Sequence, residues 1–260
     1  MQAIALPDEV LKSINSMMFK FIWKKKFTNR KAFEKVKRDV LCQDYENGGL
    51  KMLNVFDVQN SFLIQWVRKL ISDPQSNVAG ISRFYYDQIG SEFSIFKSNV
   101  TAKHFIGWEC IKSVFWQKVL KTWLDMQPVI TIGDIAIDDI PNQVLWNNSL
   151  IKFKGNVLLM RSFIQKEVIY VSDLFLDDHL LSLDNIAAQM NIPANQLCLR
   201  YNAIFNAIPE AWKQSDSWPD QGNPEPSIFG RKISMVTSKF IRTELVEKRK
   251  HFSHLCNQGS

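Results

Sequence analysis

Cysteine is scarce in this chain, and the four cysteines are far apart: Cys42, Cys110, Cys198 and Cys256. This spacing favours free thiols over a disulfide framework and is typical of an intracellular protein, nuclear or cytoplasmic. Met1–Leu6 runs directly into Pro7-Asp8-Glu9, so we expect no signal peptide. No apolar run approaches the roughly 20 residues that span a bilayer, which predicts no membrane partner.

The motifs of common catalytic sites are also missing. Gly48-Gly49 lacks the glycine spacing of a phosphate-binding loop, and no serine-hydrolase elbow is found. His251-x-x-His254-x-Cys256 contains three zinc-ligand types, but one intervening residue before the cysteine is tight and no fourth ligand is near. The other interpretation of these residues is a frayed basic tail. We therefore predict no catalytic residue, no metal ligand and no cofactor in this chain.

The chain contains two pairs of adjacent aspartates that could be compared with the metal-binding pair of a polymerase. Phe175-Leu176-Asp177-Asp178 matches the aromatic-x-Asp-Asp pattern of a polymerase palm. Two-metal chemistry also needs a further aspartate on a neighbouring strand and a β-hairpin that presents the pair. Because Leu180–Leu183 reads as the approach to a helix, we interpret the pair as solvated residues of a loop that enters it. Asp138-Asp139 lacks even the aromatic residue.

Apolar residues, in contrast, are abundant. They make up 46% of the 260 residues, against 22% charged residues, and the chain contains 18 Phe and 8 Trp. This composition predicts a large buried core and one large or two small domains.

Positive charge is concentrated at the two ends of the chain. Residues 1–71 contain 13 Lys/Arg and 7 Asp/Glu, and residues 231–260 contain 7 and 2. Residues 72–230 are net acidic, with 12 Lys/Arg and 17 Asp/Glu. A surface that binds a polyanion is therefore expected to be formed by the ends. The alternative is that these lysines are ordinary solvated helix faces.

The strongest basic stretch is Lys20–Arg38, with nine Lys/Arg and one Glu. Lysine and arginine neutralise phosphates, and exposed aromatic side chains such as Trp23 and Phe27 could stack on bases. Trp23 could equally be a core residue. The candidate nucleic-acid-binding residues are Lys20, Trp23, Lys24, Lys25, Lys26, Arg30, Lys31, Lys35, Lys37 and Arg38.

Apolar spacing predicts a mainly α-helical fold with bundle-like segments and a small β-hairpin region around 129–174. In the first helix, which begins near Pro7, one buried face is predicted from Val10, Ile14, Met17, Met18, Phe21 and Ile22. Residues 30–42 fit either a strand or a helix, and Gly48-Gly49 must turn. Further helices are predicted at 54–72, 76–90, 108–126, 183–212 and 234–250, with strands at 129–132 and 151–157.

We divide the chain into a basic helical segment (1–72), a mixed middle region (73–230) and a basic C-terminal helix and tail (231–260). Asn54 and Asp57 form the start signal of the helix that ends at Ser72-Asp73-Pro74. Pro193 is predicted to break the helical region 183–212.

Several short motifs occur in an order that resembles the region downstream of the catalytic palm in reverse transcriptases of LINE-type, non-LTR retrotransposons. They are Leu6-Pro7, Ile14-Asn15, Phe19–Lys24, Val40–Cys42, Gly48–Met52, Trp66–Leu70, Phe115–Trp123, Leu145–Asn148, Ile169–Leu174, Ala207–Trp212 and Thr237–Lys239.

The resemblance implies a non-catalytic piece of an RNA-directed DNA polymerase. Such a piece would help to hold template RNA and the RNA–DNA duplex beside a separate palm and thumb. Mg²⁺ would then belong to the palm, which this chain lacks, so we expect no polymerase activity from the chain alone. The alternative function is a helical protein-interaction module or a degenerate remnant of the polymerase.

Overall fold

The protein is described from a computed structural model, in residues 5–22, 36–90, 93–127, 130–176, 179–213, 227–228 and 231–257. Within these residues the chain is mainly helical, which confirms the predicted fold class. The α-helices are α1 (Asp8–Ile22), α2 (Arg38–Leu41), α3 (Val55–Ser72), α4 (Asn77–Tyr86), α5 (Val114–Met126), α6 (Arg161–Ile164), α7 (Leu183–Met190), α8 (Ala194–Ala207) and α9 (Ser238–Asn257).

The strands are short and pair as antiparallel hairpins: β1 (Lys152–Phe153) with β2 (Asn156–Val157), β3 (Phe175–Leu176) with β4 (His179–Leu180), and β5 (Ser227–Ile228) with β6 (Arg231–Lys232). The first hairpin lies in the predicted region and turns at Lys154-Gly155, where both residues have positive φ. The predicted strand at 129–132 is wrong for residues 130–132, because Ile132 begins a 3₁₀ helix and the two residues before it are not in a strand, whereas Val129 lies outside the described ranges. The Asp134 carboxylate accepts hydrogen bonds from the Thr131 backbone and hydroxyl, which favours a turn there.

Contacts divide the chain into two compact units. The basic unit contains residues 1–66 and 236–260, and the aromatic unit contains residues 67–235. Helix α3 begins in the first and ends in the second. The three predicted segments, 1–72, 73–230 and 231–260, stay a prediction about domains, since compactness does not test independent folding.

In the aromatic unit, α4 and α5 pack through large rings. Tyr86 lies edge-on to Trp116 and Phe96, and Phe96 lies edge-on to Trp123. The polar atoms of these rings are satisfied inside the core: the Tyr86 hydroxyl donates to the Trp116 carbonyl at 2.8 Å, and Trp123 Nε1 donates to the Phe96 carbonyl at 3.0 Å. Burial raises the pKa of Tyr86 well above its ordinary value. The predicted helices around 76–90 and 108–126 are thus built as core elements.

A second core in the same unit surrounds Trp146. This side chain is fully buried against Phe163, and its Nε1 donates to the Val168 carbonyl at 2.8 Å. The next residue, Asn147, joins two distant segments with its amide: it accepts from Ile106 N at 2.9 Å and donates to Ile106 O at 3.0 Å. The hydroxyl of Ser98 donates to the carbonyls of Trp146 and Asn147, which connects the two cores.

The ends of several helices match their sequence signals. Asn54 accepts a hydrogen bond from Phe56 N at the start of α3, as predicted. Helices α7 and α8 are separated at Pro193, also as predicted. Part of the 30–42 region is now defined: Arg38–Leu41 is helical, which favours the helical alternative for those residues.

Candidate nucleic-acid interface

Of the ten residues predicted to bind nucleic acid, the structure describes three: Lys20, Lys37 and Arg38. Lys20 is half-buried in the last turn of α1, and Lys37 is exposed just before α2. The Arg38 guanidinium lies 4.8 Å from the centre of the Phe19 ring, so it packs against α1 as well as carrying charge. The other predicted residues lie outside the described ranges: Trp23, Lys24, Lys25, Lys26, Arg30, Lys31 and Lys35.

Helix α1 does not bury the face that the sequence predicted. Its buried residues are Leu11 and Phe19, whereas Phe21 is 82% exposed and Val10 and Met17 are also exposed. The predicted buried stripe is therefore wrong for these three residues. Two apolar stripes fit helical spacing on this helix, and the structure packs the one that contains Leu11 and Phe19.

The loop between α2 and α3 is tightly built. Leu50 N and Met52 N both donate to the Leu41 carbonyl, and Lys51 N donates to the Gln43 carbonyl at 2.9 Å. Gly48 has a φ of +74°, and a Cβ on Gly49 would lie 2.0 Å from the Gln43 oxygen. Both glycines are thus required by geometry, which confirms the predicted turn.

This loop and α9 line a groove of about 290 Å³ in the basic unit. The lining residues are Cys42, Asp44, Lys51, Met52, Leu53, Asn54, Asp57, Lys239, Arg242, Thr243, Val246 and Glu247. The two sides come from opposite ends of the sequence, so the groove brings together cations that are far apart in the chain: Lys51 on the loop, and Lys239 and Arg242 on α9.

The cations of the groove differ in their partners. The Lys51 ammonium lies 3.3 Å from the Asp44 carboxylate and 5.4 Å from the centre of the Tyr45 ring. Lys239 and Arg242 make no ion pair within the described residues. Lys239 also stands in the first turn of α9, which contains no acidic residue. Because the amino end of a helix is the positive end of its dipole, this turn has a positive potential.

These groove cations were not among the site residues predicted from the sequence. Lys51 and Lys239 belong to two of the short motifs, but nothing in a single sequence shows that those motifs meet. The available signal was the excess of positive charge at both ends of the chain, which was consistent with one shared surface. Pairing particular residues across nearly 190 positions required the fold.

The acidic pair at 177–178 lies outside the described residues, but its flanks are described. Phe175 pairs with Leu180 and Leu176 pairs with His179 in the β3–β4 hairpin. The prediction of a loop leading into a helix is therefore wrong for the flanking residues, because cross-strand pairing closes a hairpin before α7. Asp138 and Asp139 are exposed in a 3₁₀ helix. Across the described ranges, no group of three or more His, Cys, Asp and Glu side chains could hold a metal ion.

The other reactive side chain in contact with a charge is Cys110 of the aromatic unit. Arg161 Nη2 donates to its sulfur at 2.7 Å, and Glu109 lies 3.5 Å from the same guanidinium. Burial raises the pKa of the Cys110 thiol, and Arg161 offsets this only in part. A raised pKa favours the protonated thiol, which is a weaker nucleophile than the thiolate. None of Cys42, Cys110 and Cys198 is in a disulfide.

None of the helices that the structure describes is long and apolar enough to cross a membrane. No protein-family model, curated protein or solved structure matches the chain.

Proposed function

We propose that this chain is a non-catalytic, nucleic-acid-binding part of an RNA-directed DNA polymerase of the LINE type, and that it binds template RNA and RNA–DNA duplex. The distribution of charge carries the proposal. The basic unit contains 16 Lys/Arg against 9 Asp/Glu, a net charge of +7, whereas the aromatic unit contains 16 against 17. A unit with this excess on so few residues attracts a phosphate backbone.

The roles of the motif residues also support the proposal. In the aromatic unit the motif residues are structural: Trp146, Asn147 and Asn148 are fully buried, and so is Trp212. In the basic unit, the Gly48–Met52 and Thr237–Lys239 motifs supply lining residues of the groove. The chain thus combines a packed scaffold with a charged unit, as expected of a polymerase segment that holds its template.

Binding would depend chiefly on phosphate contacts from the Lys20–Arg38 stretch. Each contact releases counterions, so the logarithm of the affinity falls with the logarithm of the salt concentration by about 0.7–0.9 per contact. Phosphate contacts position a nucleic acid without reading its sequence, so little sequence preference is expected. A separate palm would supply the polymerisation chemistry.

Fluorescence anisotropy at several salt concentrations, with labelled RNA and RNA–DNA duplex, tests this function. The native chain should bind at low salt and release at high salt. Replacing Lys24, Lys25 and Lys26 with Glu should remove most of the affinity and lower the salt slope by about 2 to 3.

A matched control is available in the aromatic unit. Lys103, Lys112 and Lys121 are exposed, and their replacement with Glu makes the same change in net charge. This variant should retain most of the affinity. Absence of binding at low salt, binding that ignores salt, or equal losses in the two triple variants would contradict the proposal.

A second candidate function, a protein-interaction module, is favoured by one observation in the aromatic unit. On α4, Phe84 is 74% exposed and Ile81, one turn earlier, is also exposed. Exposed apolar side chains on one helix face are typical of contact surfaces. Replacing both with Ser should abolish a protein complex that survives nuclease treatment, without changing RNA affinity. An unchanged complex would exclude this face.

A further inference from the structure

We propose that the groove between the Leu41–Met52 loop and α9 holds a single unpaired nucleotide of a bound strand. Its phosphate lies against Lys239 and Arg242, and its base stacks on Tyr45. This inference rests on the proposed function and deepens it, since it assigns a second contact outside the Lys20–Arg38 stretch and a preference for single strands.

The size of the groove suits such a ligand. Its volume of about 290 Å³ lies at the lower end of the range for small-molecule pockets, roughly 300–1,000 Å³. A duplex is too large to enter a pocket of this size, whereas one nucleotide is comparable to a small ligand. The groove is lined by apolar atoms of Met52, Leu53 and Val246 as well as by charged groups. Apolar lining with a few polar groups is typical of sites that hold a flat organic ring.

The charges of the groove favour an anion on the α9 side. Of its three carboxylates, Asp44 is paired with Lys51, and Asp57 is buried in the first turn of α3. Glu247 lies two turns along α9 from Lys239. Lys239 and Arg242, three residues apart on one face of α9, are the cations that have no ion-pair partner within the described ranges. A phosphate next to them would also face the positive end of the α9 dipole.

Tyr45 provides the stacking surface. It is 66% exposed beside the groove, and the Lys51 ammonium lies 5.4 Å from its ring centre. The backbone that carries the ring is fixed: the Tyr45–Asn47 turn is closed by Gly48, and Gly49 N donates to the Asp44 carbonyl at 3.0 Å. An exposed aromatic ring close to a cationic groove is the combination that binds single strands with little sequence preference.

The backbone of Lys51, which lines the groove, is held in an unusual conformation. Its φ of +51° is a left-handed conformation that a lysine rarely adopts, and it costs of order 1–3 kcal/mol. Bonds from Leu50 N, Lys51 N and Met52 N hold the residue in that conformation. The Lys51 side chain both lines the groove and lies over the Tyr45 ring.

The experiment uses the full chain and a fluorescent uridine oligomer, with an RNA–DNA duplex measured in parallel. Tyr45→Ala should lower affinity for the oligomer by about 5- to 150-fold, the range for one base stacked on an aromatic ring, and leave duplex binding nearly unchanged. The double variant Lys239→Gln, Arg242→Gln should lower the salt slope for the oligomer by about 1 to 1.5.

Two further variants serve as controls. Lys152→Gln with Lys154→Gln makes the same charge change on the exposed β1–β2 hairpin of the aromatic unit, and should leave the salt slope unchanged. Glu247→Gln removes a carboxylate from the groove and should strengthen binding of the oligomer. Thermal unfolding of every variant identifies those that fail to fold.

The outcomes separate this inference from the proposed function. If Tyr45→Ala and the Lys239/Arg242 variant bind the oligomer like the native chain while the Lys24–Lys26 variant loses affinity, the groove proposal is wrong and the function stands. If neither the native chain nor any variant binds nucleic acid at low salt, the proposed function itself is wrong. If polyglutamate displaces the oligomer and Tyr45→Ala has no effect, the groove takes an acidic peptide and the nucleotide assignment is overturned.

Discussion

The two units of this protein differ in where they place their large aromatic side chains. The aromatic unit uses Trp116, Trp123, Trp146 and Trp212 as buried core residues. Among the described residues of the basic unit, the buried side chains include Leu11, Phe19 and Ile64, whereas Phe21, Tyr45 and Leu53 are exposed. Buried tryptophans are therefore concentrated in the aromatic unit, although Phe84 there is exposed, whereas the basic unit leaves Phe21 and Tyr45 available for contact.

The difference separates stability from binding. Substitutions in the core of the aromatic unit should change the free energy of unfolding and leave the affinity of folded molecules unchanged. Substitutions in the loop and α9 of the basic unit should change affinity, with or without a loss of stability. The four predictions below test this separation.

The largest expected effect is that of Trp146→Ala. It removes a buried ring packed on Phe163 and leaves the Val168 carbonyl without its donor, which should destabilise the aromatic unit by about 3–5 kcal/mol. Denaturant unfolding and hydrogen exchange of that unit measure the loss. Trp146→Phe, which keeps most of the volume, should cost less. A loss of RNA affinity in the folded fraction would contradict the separation.

The second-largest effect is expected from substitutions of Gly48 and Gly49 in the basic unit. Gly49→Ala places a Cβ 2.0 Å from the Gln43 oxygen, so the loop must open, at about 3 kcal/mol. In Gly48→Ala the added Cβ would have no atom within 4 Å, so the substitution should cost only the strain of a positive φ, about 1–2 kcal/mol. Binding of the uridine oligomer should fall more for Gly49→Ala than for Gly48→Ala. Equal effects would show that the loop does not shape the groove.

Helix caps provide a matched pair across the two units. Ser182 accepts from Asn185 N at 3.3 Å at the start of α7, and Thr237 accepts from Phe240 N at 3.1 Å at the start of α9. Replacing either with Ala should cost about 1 kcal/mol of stability. Oligomer affinity should fall only for Thr237→Ala, because that cap fixes the turn that carries Lys239. A fall in both variants would argue that affinity follows stability.

The smallest effect concerns Asp134, an exposed residue of the aromatic unit. Hydrogen bonds from the Thr131 hydroxyl and backbone N–H lower its pKa below the ordinary value of an aspartate. The folded-state pKa is the lower one, so this contact stabilises the unit above the unfolded-state pKa and is lost as the pH falls through the folded-state pKa. NMR titration should show the lowered pKa of Asp134. In Thr131→Ala, which lacks the hydroxyl donor, this pKa should rise toward the ordinary value of an aspartate, and RNA should leave it unchanged. A shift caused by RNA would place binding on this unit.

The sequence predicted helices well where apolar spacing and caps agreed. Asn54 at the start of α3 and Pro193 between α7 and α8 are examples. It was wrong for Val10, Met17 and Phe21 of α1, because only tertiary packing decides which apolar residues at helical spacing are buried. It also predicted a strand at 129–132 from β-branched residues, where the Thr131–Asp134 hydrogen bonds form a turn.

The candidate site was predictable only in its charge. Both ends of the chain were expected to contribute, and both do supply cations to the groove. Which cations line the groove together depends on the fold, since Lys51 and the α9 residues Lys239 and Arg242 are far apart in the sequence and no local pattern pairs them. The left-handed backbone of Lys51 was also unpredictable, since lysine gives no such signal.

The buried amide of Asn147 has a consequence for the chemical ageing of this protein. Spontaneous deamidation would replace its nitrogen, which donates to the Ile106 carbonyl, with a second oxygen facing that carbonyl. Two acceptors would then oppose each other where no water reaches, and the segment around Ile106 would be released from the Trp146 core. Mass spectrometry of aged samples should find this damage in molecules that have already opened, so the modification would record past unfolding.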